Sequence, residues 1–280
     1  MTGAIGFDAA AGAGEGAVRA KRRASLRAGS FAAVLKAEIL KGRHAAPRKI
    51  ALVAPLPFCA LGVLASGVVP GTGAVGGVST CLWNYWYALM MPIAVALICA
   101  SVANLDARQK LRPVLALPFS PRRTWWAKTA YALALAFGAN LVVLAVSTAL
   151  TLAGAEGPSF AEGLAAAAVL TVASSWMVPA SLALTSRFGT LAGIAVPTLL
   201  QLGASIALWT SEIWFAFPPA TTLCAASPFT GVAPSGVPLA AGDPLGVFGW
   251  QACAGLGIAV ALFAALALAG ARWYAGREAS

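Results

Sequence analysis

The sequence predicts an all-α polytopic membrane protein with six transmembrane helices, and three observations predict it. Of 280 residues, 60% are hydrophobic and 10% charged, with a mean hydropathy of +0.82; an average soluble domain carries roughly 25% charged residues. Six apolar runs are each long enough to cross a hydrocarbon layer of about 30 Å at a rise of about 1.5 Å per residue. The charges then sort by side. With the N-terminus inside, segments 1–49, 104–129, 185–189 and 272–280 hold all 19 Lys and Arg, while Glu156, Glu162, Glu212 and Asp243 fall outside. That separation satisfies the positive-inside rule and places both termini in the cytoplasm.

Residues 1–30 read as a disordered Gly/Ala-rich tail ending in the basic cluster KRRASLR, which suits anionic lipid headgroups. Residues 31–49 follow as an interfacial segment. Ser30 is positioned to cap a helix starting at Phe31. Phe31, Leu35, Lys36, Glu38 and Lys41 mix apolar and charged groups in a way that fits a helix lying in the interface. A solvated continuation of the tail is the alternative.

Residues 50–271 form the membrane domain, with spans expected at 50–69, 83–103, 130–153, 164–184, 190–209 and 248–271. Pro55 and Pro57 kink the first span or delay its start. Trp83, Tyr85, Trp86 and Tyr87 open the second as an interfacial aromatic girdle. Pro92, Pro179 and Pro197 mark kinks that serve either gating or static packing. Among polar residues within the spans, Asn140 and Gln201 either bond neighbouring helices or line a pathway. Residues 272–280 form a short cytoplasmic tail.

The loop from Asp106 to Lys128 is the most informative segment outside the spans. Its ends are basic, yet Val114 to Phe119 is apolar. A partner-docking segment needs such a patch more than a surface hairpin does. Trp125 and Trp126 return the chain to the interface, where Lys128 is expected to snorkel. The outer segment 210–247 is long and apolar. Trp214, with Phe215 and Phe217, forms either a re-entrant cap on a pathway or an aromatic girdle.

No nucleotide-binding, hydrolase, metalloprotease or dinucleotide-binding motif occurs, so no catalytic, cofactor-binding or metal-binding residue is assigned. The chain is not expected to be an enzyme. A net charge of +10 is of the kind that attracts nucleic acid, but the basic groups flank the spans and form no single face. The five cysteines lack metal-ligand spacing and read as small hydrophobes, although Cys81 and Cys224 both fall outside and could pair.

Leu35-Lys36-Ala37-Glu38-Ile39-Leu40-Lys41, Pro55-Leu56, Trp86, Met91-Pro92-Ile93, and Leu115-Ala116-Leu117-Pro118-Phe119-Ser120 followed by Trp126-Ala127-Lys128 together resemble the ABC-2-type permeases, and within them the lantibiotic immunity permease subunits of the MutE/EpiE kind. The resemblance implies an ABC-2 fold with a cytoplasmic elbow helix at residues 31–43, in a bacterial cytoplasmic membrane. It implies a separate ABC ATPase subunit carrying ATP and Mg, and either a second related permease or a homodimer. It places the ATPase coupling element at Leu111, Val114, Leu115, Leu117, Phe119, Arg122 and Arg123, and self-immunity by export of amphipathic peptides as the function. An exporter of drugs or lipids, and an accessory membrane protein without transport, are the alternatives.

Overall fold

The computed structural model describes residues 30–66, 82–105 and 120–276. The tail before Ser30, the loop 67–81 and the patch at 106–119, with Leu111, Val114, Leu115, Leu117 and Phe119, lie outside the described residues. Within them the chain is helical, with a single isolated bridge between Val232 and Pro238 and no strand.

Helix α1 (Phe31–Lys41) starts where the Ser30 hydroxyl accepts a bond from the Ala33 amide at 3.3 Å, leaving an orphan donor of the first turn satisfied. Val34, Glu38 and Gly42 are buried at four-residue spacing, so one face of α1 is turned into the protein, while Phe31, Ile39 and Leu40 are exposed.

The first expected span is broken. Helices α2 (Ala46–Val53) and α3 (Leu56–Ser66) are separated at Ala54–Pro55. Pro55 and Pro57 lack the N–H groups that would bond the carbonyls of Ala51 and Val53, so the ladder lapses there. The third expected span begins nine residues early. Helix α5 (Pro121–Leu152) has 32 residues, about 48 Å at 1.5 Å per residue, and takes in Trp125, Trp126 and Lys128. Pro121 in its first turn costs no hydrogen bond.

Helix α4 (Leu82–Ala103) opens with π-helical turns, in which the Met91 amide bonds the Trp86 carbonyl. The fourth expected span is a bent pair, α6 (Phe160–Ser174) and α7 (Met177–Phe188), meeting at 44°. Pro179 cannot donate to the carbonyl of Ser175, and the break falls there. Gly189, at φ 95°, turns the chain directly into α8 (Thr190–Leu208). Residues 210–247 hold two short helices, α9 (Pro218–Cys224) and α10 (Ser227–Thr230), and α11 (Trp250–Gly276) ends the described chain. It runs through residues 272–276, expected as tail.

Four helices, α4, α5, α8 and α11, are long and apolar enough to cross a membrane, and the α6–α7 pair makes a fifth candidate. Helix α4 sits at the centre, with 61% of its apolar window buried against 33% in α5, 28% in α8 and 22% in α11. It packs on α2, α5, α7 and α8. Alanines at 94, 96, 100, 132, 136, 139, 166, 167 and 173 are buried within the bundle. Small side chains let helix backbones approach closely where lipid offers no hydrophobic drive to associate. Outward faces stay apolar, as with Leu191, Leu199 and Ile206 on α8 and Val260 and Leu268 on α11; such faces are covered by lipid.

Candidate functional site

The helix ends divide the molecule into a basic end and an acidic end. At the basic end lie Arg48, Arg122, Arg123, Arg187 and Arg272, where α2, α5, α7 and α11 begin or finish. At the acidic end lie Glu156, Glu212 and Asp243, in the connections after α5, α8 and α10, and Glu162 in the first turn of α6.

A charged centre is buried at the basic end. Glu38 of α1 receives Lys41 on Oε1 at 2.7 Å and Lys128 of α5 on Oε2 at 3.3 Å. The Lys128 Nζ also donates to the Val102 carbonyl near the end of α4, at 3.4 Å. Lys128 therefore points inward and does not snorkel: its side chain is 4% exposed and that of Glu38 1%. Enclosed in apolar helix, each charge needs the other. Three residues that the sequence reading missed complete the junction. Arg48 of α2 donates through Nε to the Tyr131 hydroxyl at 3.2 Å and through Nη2 to the Ile39 carbonyl at 3.0 Å. Gly42 lies so close to Tyr131 that a Cβ would run into the ring. The signal in the sequence is the three-residue spacing of Trp125, Lys128 and Tyr131, which sets them along one face of a helix. Trp125 faces α11, donating to the Ala267 carbonyl at 2.9 Å.

In mid-bundle, the expected aromatic girdle is an interior ladder. Trp83, Trp86 and Tyr87 are fully buried, and Tyr85 alone of the four is exposed. The Trp83 indole donates to the Ser147 hydroxyl at 3.0 Å, and the Trp86 indole to Asn140 Oδ1 at 2.8 Å. Asn140 passes the chain on to Thr171 Oγ1 at 2.9 Å, so α4, α5 and α6 are joined by one polar thread. A girdle needs aromatics around a helix, whereas 83, 86 and 87 share one side.

Toward the acidic end, Gln201 Nε2 donates to the Pro219 carbonyl at 3.1 Å, tying α8 to α9. Trp214 is buried with Ala220, Cys224 and Ala252. Helix α9 packs among α6, α8 and α11, with Thr221 and Thr222 fully buried. Asn84 of α4 donates to the carbonyls of Ala233 and Pro234 at 3.1 and 3.3 Å. Residues 218–230 are thus folded into the bundle, while most of 235–247 stays exposed. Cys224 is buried against the Trp209 carbonyl; Cys81 lies outside the described residues. An open cleft of about 580 Å³ lies between the α5–α6 connection and α10, with Glu156 and Glu162 on one wall and Pro228 and Phe229 on the other.

Of the residues singled out from sequence, Glu38 and Lys41 enter the charged centre, Asn140 the mid-bundle thread, and Gln201 and Trp214 the packing of α9. Leu35 is half-buried against the core and Lys36 is exposed. Arg122 and Arg123 open α5, about one and a half turns before Lys128. Among the described residues, no group of three or more His, Cys, Asp or Glu is placed to hold a metal ion.

The fold and its polar interior define a multi-pass, all-helical membrane protein. Beyond that class, comparison with protein-family models, with curated proteins and with solved structures finds no match for the chain.

Proposed function

We propose that this chain is the membrane-spanning subunit of an ABC-2-type exporter in a bacterial cytoplasmic membrane, driven by a separate ABC ATPase. On this reading α2 and α3 together form the first of six crossings, α1 is the elbow helix, and both termini are cytoplasmic. The permease pairs with a second copy or a related chain. Its cargo is a lantibiotic or a similar amphipathic peptide removed from the membrane for self-immunity.

One observation carries the reading. Lys128 links the carboxylate of α1 to the Val102 carbonyl of α4. In sequence Val102 and Lys128 flank the apolar patch at Val114, Leu115, Leu117 and Phe119, so the helices on either side of that patch meet at one buried charge. A subunit pushing on that loop would move α1, α4 and α5 together, as energy transfer from an ATPase requires. Packed interfaces respond to such a push by switching between arrangements.

The test is co-purification of the solubilised protein with an ATPase encoded beside it, comparing the native loop with the Val114→Asp/Leu117→Asp double variant. Recovery of an ATPase lost in the variant supports the reading. Recovery of none from an intact membrane complex refutes it.

A further inference from the structure

We propose that the cleft at the acidic end binds an amphipathic organic cation, an ammonium or guanidinium carried on an apolar body. Its volume of about 580 Å³ lies in the range of about 300–1,000 Å³ typical of small-molecule sites. The two walls differ in chemistry. One carries Glu156 and Glu162, and the other Pro228, Phe229 and Val232.

Among the described residues the carboxylates have no counter-charge. Glu162 Oε2 accepts the Ser159 amide at 2.8 Å in a capping box, which uses one oxygen and leaves the negative charge in place. Glu156 makes no ion pair or hydrogen bond among the described residues, and the Lys and Arg side chains described all lie toward the basic end. The connection 67–81 contains no Lys, Arg or His. Among the described residues no cation pairs with these groups, which leaves them available to one arriving from outside.

The apolar wall is held in place. Phe229 packs on Phe248 with ring centroids 5.3 Å apart, and the bridge between Val232 and Pro238 pins the loop behind it. An aromatic side chain lining the same cleft as carboxylates favours a weakly hydrated organic cation over a metal ion. The inference rests on the cleft and requires no ATPase, so it stands or falls independently of the exporter reading.

The experiment uses the full chain alone in nanodiscs of zwitterionic lipid. Binding of a dansyl-labelled dodecylammonium is read by energy transfer from the protein's tryptophans, with empty nanodiscs subtracted. The same label on dodecanol serves as the neutral comparison. The Glu156→Gln/Glu162→Gln variant should weaken binding of the cation about three- to tenfold, the range that exposed charge pairs support, and leave the alcohol unaffected. Gln at 162 still accepts the capping bond. If the double variant nonetheless melts lower, Glu156→Gln alone, at an exposed position without a partner, carries the comparison with a smaller expected loss. Unchanged affinity in these variants, or equal affinity for the alcohol, overturns the proposal.

Discussion

Lys128 and Glu38, 90 residues apart in the chain, meet with 3.3 Å between ammonium and carboxylate at a place neither solvent nor headgroups reach. Removing the carboxylate from such a pair costs about 3–5 kcal/mol, because buried positive charge loses an opposite one. Glu38→Ala should lower the thermal midpoint in detergent well below that of Lys36→Ala, an exposed residue of the same helix. Glu38→Leu combined with Lys128→Met should recover most of the loss. A double variant no better than the worse single one would show that the pair does not act as a unit.

Asn140 holds α4 to α6 by accepting from Trp86 and donating to Thr171. Asn140→Leu leaves the indole N–H buried without an acceptor. The expected destabilisation is about 1–3 kcal/mol, together with a change in tryptophan emission as Trp86 loses its polar partner. Ser147→Ala, which removes the acceptor of Trp83 alone, should cost less. Equal midpoints for Asn140→Leu and the native chain would count against the thread as a source of stability.

Two glycines of α11 give opposite expectations. A Cβ at Gly270 would strike the Trp125 ring, whereas one at Gly257 meets nothing within 4 Å. Gly270→Ala should destabilise by about 1–3 kcal/mol as the indole is pushed from its bond to Ala267. Gly257→Ala should be neutral or stabilising by up to about 1 kcal/mol from helix propensity. Thermal melts of the two variants side by side check both the packing and the register of α11 on α5.

Orientation is tested by single cysteines placed at Glu156 and at Arg123 in a cysteine-free background. In intact cells a membrane-impermeant maleimide should label the Glu156→Cys chain and label the Arg123→Cys chain only after lysis. The reverse pattern would invert the proposed topology and put the cleft in the cytoplasm.

By itself the sequence determined that this is a multi-pass helical membrane protein, because long apolar stretches and the sorting of charge are local properties that need no partner. It also marked the breaks to come at Pro55 and Pro179, since a missing N–H acts on the chain's own carbonyls. Tertiary structure alone decided which way amphipathic side chains turn. Trp83, Trp86 and Lys128 each suit a membrane interface as single residues, and their composition points there. They face inward because Ser147, Asn140 and Glu38, supplied by other helices, complete their hydrogen bonds and charge. That pairing depends on which helices are neighbours, and no stretch of sequence near Trp83, Trp86 or Lys128 encodes it. The cleft at the acidic end is of the same kind: Glu156 and Phe229 lie 73 residues apart in the chain, and they share a cavity only because α5, α6 and α10 pack as they do.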